Sequence, residues 1–131
     1  MESLYMAHEI SDEHDGRGVL ITLSGDIKAD EIYALNEQLM SRERFAGYRY
    51  QMWDFRAIGR LELTLDDLRN FAIQDSQASR KSPGQKVALI GRPDPQHLDL
   101  ASLFHVFEKV WSGYASRTFL DIEAARRWAR G

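Results

Sequence analysis

Hydrophobic positions along this chain fall in short blocks whose spacing alternates between two residues and three to four, the pattern of strands interleaved with helices. Tyr5–Ile10 and Gly18–Leu23 read as strands, and the polar, Gly-bearing stretch Ser11-Asp-Glu-His-Asp-Gly-Arg17 between them predicts a hairpin connection. Val19-Leu-Ile-Thr-Leu23 is apolar on both faces, which puts the second strand inside the sheet and the first at its edge. Ser24-Gly-Asp26 then breaks the pattern. From Lys28 the residues Ile32, Leu35, Leu39 and Met40 recur at i, i+3, i+7 and i+8, predicting a helix to Arg42 with Asp30 and Glu31 near its positive end.

Tyr48–Thr64 is the stretch around which the rest is arranged: a central strand running into a loop and then a capped helix. Met52, Trp53 and Phe55 place bulk on both strand faces, as a strand covered from both sides requires. In such sheets, loops at the carboxyl ends of the strands are where function gathers, so the loop after this strand is the first place to look for it. Thr64 with Asp67 forms a capping-box pattern, and Leu65, Leu68, Phe71 and Ala72 supply the buried face of a helix from Leu65 to Ala78. Ser79–Gln85 is a polar loop with a Pro83-Gly84 turn, Lys86–Gly91 a short buried strand, and Arg92-Pro-Asp-Pro95 its stop. A long helix begins at Leu98 and carries Leu100, Leu103, Phe104, Phe107, Val110 and Trp111 as its stripe. Ser116–Leu120 is the last strand, and Asp121 caps a final helix, Ile122–Ala129, with Arg126, Arg127 and Arg130 at its negative end. The order ββαβαβαβα with right-handed crossovers gives an α/β fold: a mixed, mostly parallel sheet of about five strands with four helices.

At 131 residues and 44% hydrophobic content the chain is read as one domain spanning 1–131. A formal charge of -3 removes any broad attraction to nucleic acid or anionic membrane. The lack of cysteine rules out disulfides, Cys-based zinc sites and thiol chemistry. No run approaches the roughly 20 apolar residues of a membrane span, and the amino terminus has neither a basic nor an apolar leader segment, so a cytoplasmic protein is expected.

Three local features, in this order of elements, resemble the STAS domain and its SpoIIAA-like branch. Ser24-Gly-Asp-Ile-Lys-Ala-Asp-Glu31 is similar to the family's glycine and acidic helix start after the second strand. Trp53-Asp-Phe-Arg-Ala-Ile58 looks like the Asp that ends its central strand before a small-residue loop. Arg117-Thr-Phe-Leu-Asp-Ile-Glu-Ala-Ala-Arg-Arg-Trp128 resembles the closing strand and its acidic, Ala-containing helix. Resemblance implies a SpoIIAA-like fold and, for anti-sigma-factor antagonists, an Asp-Ser pair after the central strand whose Ser is phosphorylated by a partner kinase. Counted from Asp54, the matching positions here are Glu62 and Leu63, followed by Thr64. The acid is retained, and a leucine stands where the hydroxyl belongs. Thr64 could substitute as acceptor; its plainer role is the N-cap that the helix needs.

His8, Glu9, Asp12, Glu13, His14 and Asp15 are metal-ligand types without ligand spacing, so they read as a solvated hairpin and no metal or other cofactor is expected. No nucleophile elbow, P-loop or zinc-protease motif occurs, and no catalytic residue is assigned. Arg56 and Arg60, in the loop after the central strand, and Arg92, after the next, would share the sheet's carboxyl edge and could hold a phosphate or carboxylate; ordinary solvated charges are the plainer account. Phe104, Phe107 and Trp111 could line an apolar pocket or a homodimer interface, or simply pack the core. His105 falls within the long helix beside its stripe and reads as a partly buried or surface histidine. The leading reading is a non-catalytic regulatory or protein-interaction domain using the surface from Phe55 to Asp67, with Asp54, Arg56, Arg60, Glu62, Thr64 and Arg92 as interaction or ligand-binding residues. The alternative is a module for a small anionic or lipid-like ligand, and a third is an enzyme built on Asp94 and His97.

Overall fold

The computed structural model describes residues 6–131. Its elements follow the expected order: β1 (Ala7–Glu13), β2 (Gly18–Lys28), α1 (Ala29–Met40), a short 3-10 turn (Phe45–Gly47), β3 (Tyr50–Glu62), α2 (Leu65–Lys81), β4 (Lys86–Ile90), α3 (Pro95–Trp111), β5 (Ala115–Phe119) and α4 (Ile122–Arg130). The five strands lie side by side in chain order, β1 antiparallel to β2 and every later pair parallel. β3 is central, as expected, and β1 an edge. Because each parallel strand adds on the same side of the last, right-handed crossovers carry α1, α2 and α3 to one face. The other face is left to α4.

Each face has its own core. Val19, Ile21 and Leu23 of β2 join Trp53, Ile58, Val87 and the inner faces of α1, α2 and α3 in the larger one. Tyr50, Met52, Ala88 and Ile90 meet α4 in the smaller, where Ala125 and Ala129 let that helix sit close to the strands.

Two sequence expectations change in ways that shape the site. Of the first expected strand, Tyr5 lies outside the described residues; β1 itself runs on to Glu13, and the turn shrinks to His14–Arg17, where His14, Asp15 and Gly16 take positive φ. Asp12 and Glu13, expected in a solvated loop, are strand residues bonded to arginines. Asp12 receives Tyr48, Arg42 and Arg44; Glu13 receives Tyr50, Arg126 and Arg130, tying β1 to α4 across the open part of the sheet.

The second change concerns β3, which does not give way to a loop after Asp54. It continues to Glu62, pairing with a β2 that itself continues through Ser24-Gly-Asp26 to Lys28. Gly25, with φ 77°, lies by a register shift, so the glycine read as a strand break is a bulge that bends the pair instead. β4 leaves β3 at the Ile90–Asp54 pairing. Beyond that point β2 and β3 form a two-stranded ledge that overhangs the carboxyl edge of the sheet.

Candidate functional site

An apolar cavity of about 100 Å³, open on one side, lies under this ledge between β3, α2 and α3. Three devices hold its walls. Arg92, just past β4, donates from Nη1 to the Ile58 carbonyl at 2.6 Å, and Gln96 Nε2 donates to the Leu61 carbonyl at 3.3 Å, pinning the start of α3 to the ledge. Asp94 caps α3 by accepting from the His97 amide, with Pro95 in the first turn. Thr64 and Asp67 form the full capping box of α2, Asp67 N–H to Thr64 Oγ1 at 3.1 Å and Thr64 N–H to Asp67 Oδ2 at 2.8 Å.

Trp53, Phe55, Ile58, Leu61, Phe71 and Phe104 give the cavity its apolar lining. Trp53 is fixed by a 2.7 Å bond from its Nε1 to Gln51, which in turn donates to Gln85, so the indole cannot swing away without orphaning a buried amide. The polar groups on the wall are few. Arg92 and His97 lie at the end where α3 begins; Asp75 and Asn36, both buried, lie between the helices, with Asn36 Nδ2 donating to Asp75 Oδ1 at 3.0 Å. Behind Asp75 the carboxyl of Glu108 is wholly buried, and Ser112 Oγ donates to it at 2.6 Å. Burial first, and the neighbouring Asp75 second, push the Glu108 carboxyl up to about 11. Glu108 is therefore a neutral acid at ordinary pH.

The six residues expected to act together are spread over several places. Asp54 and Arg56 form a two-pronged pair, Nε to Oδ1 at 3.0 Å and Nη2 to Oδ2 at 2.9 Å, with the Arg56 amide also donating to Oδ1. Burial raises the Asp54 carboxyl, but these bonds outweigh it and hold the group below its ordinary value. Arg60 is on the exposed part of the ledge, 3.9 Å from Glu62, its amide held by Asp26. Thr64 is engaged in its cap. Only Arg92 of the six lines the cavity, and its Nε lies 3.3 Å from Asp94.

His97 and Asp94 are close, Nδ1 to Oδ2 at 2.8 Å, though out of line for a good hydrogen bond. His105 is half-buried and lies between two hydroxyls of β5, Ser116 at 2.7 Å and Thr118 at 2.6 Å; burial lowers it to about 4. The long helix is turned from its expected stripe. His97, Phe104 and Glu108 are buried, while Leu103, Val106, Val110 and Trp111 form an outer apolar row.

Asp75 and Glu108 escaped sequence reasoning because acids at core positions read as surface. The signal was nevertheless present: Asp75 extends Leu68, Phe71 and Ala72 at helical spacing, and Glu108 follows Phe104 by one turn. Among the described residues no group of side chains is arranged to hold a metal, and no helix is long and apolar enough to cross a membrane.

No protein-family model and no curated protein matches the chain. Solved structures do match its fold. An anti-sigma factor antagonist from Mycobacterium paratuberculosis superposes with a TM-score of 0.63 at 15% identity, covering 97% of this chain and 96% of that one. The anti-sigma factor antagonist SpoIIAA in its unphosphorylated form gives 0.60 at 12% identity over 93% of this chain and 96% of that one. A protein with a SpoIIAA-like fold from Shewanella loihica gives 0.54 at 17% identity over 98% of both. The architecture is thus the SpoIIAA-like, STAS-type one that the order of elements led us to expect.

Proposed function

We propose that this SpoIIAA-like fold serves as a non-catalytic regulatory domain that meets a protein partner on the surface from Phe55 to Asp67. The ledge is the observation that supports it most. Past Asp54, β3 stands clear of β4: Arg60 and Glu62 are exposed on it, Arg56 turns back onto Asp54, and Leu65 at the head of α2 is 56% exposed. An exposed apolar anchor ringed by charges is the usual anatomy of a contact surface. On this reading the domain works without the phosphorylated Ser that the family resemblance implies, since Leu63 stands at the position counted from Asp54 and the Thr64 hydroxyl serves the helix cap.

A photo-crosslinking amino acid placed at Leu65, and for comparison at Val110 on the far side of α3, tests the reading in cells. A partner captured from position 65 but not 110, and lost on Arg60→Glu, is the expected result. Equal capture at both positions, or none at 65, refutes it.

A second reading, a small-molecule binding module, is favoured by the cavity itself. Native mass spectrometry of the protein taken straight from cells, before and after mild denaturation, would reveal a released ligand. A mass with nothing bound counts against this second reading.

A further inference from the structure

The cavity is not built for an anion. Of the three arginines that could have served one, Arg56 is paired with Asp54, Arg60 is out on the ledge, and Arg92 is taken up by Asp94 and the Ile58 carbonyl. Three ionisable groups line it: Arg92 and His97 at the end where α3 begins, both beside Asp94, and, set among the apolar wall, the carboxyl of Asp75, only 5% exposed. Burial raises the Asp75 carboxyl above its ordinary value, and an ion of either sign brought beside it would lose its water with no free opposite charge to replace it.

Asp75 is an acceptor with room to spare. A carboxyl group can accept on both of its oxygens, and here Asn36 fills one site and the neighbouring Glu108 another. Everything else over most of the wall is hydrocarbon and aromatic carbon. The volume, about 100 Å³, is on the scale of one six-membered ring; an engineered apolar cavity of about 150 Å³ admits benzene.

We propose that this cavity binds a small neutral molecule, about one ring in size, which sets its apolar body against Trp53, Ile58, Leu61 and Phe104 and gives one hydrogen bond to Asp75. The inference deepens the small-molecule reading and rests on it. It replaces the anionic or lipid-like ligand with a neutral donor of the phenol class.

Four probes of similar size separate the alternatives when titrated into the full chain and followed by the Trp53 indole N–H resonance: phenol, toluene, benzoate and benzylammonium. Phenol should bind about fivefold tighter than toluene, the usual net worth of one hydrogen bond, and tighter than either ion. Ala101→Phe, at a half-buried position on the wall, should fill the cavity and abolish every shift while the circular dichroism spectrum is retained. Asp75→Leu should make phenol and toluene equal; should that variant not fold, the phenol-to-toluene ratio of the native chain and the Ala101→Phe result decide. Equal binding of phenol and toluene, or tightest binding of benzoate or benzylammonium, overturns the inference and leaves a pocket of other specificity. Phenol binding that survives Ala101→Phe overturns it too, and failure of all four probes removes the small-molecule reading with it.

Discussion

The carboxyl of Glu108 on α3 shares a hydrogen bond with that of Asp75 on α2, and the groups around the pair are neutral: Asn36, Ser112 and the Tyr114 ring. One oxygen of Glu108, Oε2, has no donor, as expected of an oxygen that carries the proton itself. The pair joins two helices beside the cavity, so its protonation state bears on both stability and ligand chemistry.

Stability should therefore fall as pH rises. The folded Glu108 holds its proton up to about 11, whereas in the unfolded chain it ionises near its ordinary 4.5. Between those values the folded state binds the extra proton, so this contribution is complete below the lower value and is lost progressively toward the upper, by at most about 1.4 kcal/mol per pH unit. Glu108→Gln, neutral at every pH, should remove that slope. Urea denaturation at pH 5, 7 and 9 would show the variant gaining on the native chain as pH rises; a constant difference would mean that Glu108 is ionised in the fold.

His105 gives the opposite sign at the acid end. Burial lowers it from 6.5 to about 4, so between those values the unfolded chain binds the proton that the folded one refuses. Its contribution is present above 6.5 and is lost as pH falls to about 4. His105→Gln, which can still bond one of the two β5 hydroxyls, should flatten the stability profile in that window. NMR titration of the His105 ring checks the premise directly, and a midpoint near 6.5 would defeat it.

These two residues also show what periodicity can and cannot reveal. The order of elements, the central place of β3 and the caps at Thr64 and Asp121 follow from local chemistry: alternation in strands, stripes in helices and short acceptors before them. The cap at Asp94 did not, because Arg92–Pro95 reads as a strand stop and the stripe begins only at Leu98. The ledge was hidden because Gly25 and the polar run after Asp54 look like loop, and only the pairing of the two segments makes them strand. The cavity wall was hidden for a related reason. Apolar pattern alone cannot pick out acids that tertiary packing shuts inside, nor show that Arg56 turns back onto Asp54 two residues before it.

Gly18 tests how closely the smaller core is fitted. It pairs with Tyr50 across β2 and β3, and a Cβ there would overlap the Tyr50 ring, which is buried and held by Glu13 and Arg130. The ring has nowhere to move without breaking those bonds. Gly18→Ala should destabilise by about 1–3 kcal/mol, the range for overpacking a filled core. Tyr50→Phe in the same background would free the ring from its two partners, and a double-mutant cycle should then show that part of the loss is recovered; strict additivity would argue that the overlap is relieved elsewhere.

Thr64 distinguishes a cap from a switch. Its hydroxyl accepts from the Asp67 amide while the Asp67 carboxylate accepts from the Thr64 amide, two reciprocal bonds that close the first turn of α2 beside the cavity mouth. Thr64→Ala should cost about 1 kcal/mol of stability, and Thr64→Ser, which keeps the hydroxyl, only a fraction of that. Asp67→Ala removes the other half of the same motif, so the two losses should be less than additive in the double variant. If Thr64→Ala leaves denaturant stability untouched, the hydroxyl is not needed by the helix. Its place on the proposed partner surface would then become the reason for it, and the Leu65 crosslink in a Thr64→Ala background would be the way to see that role.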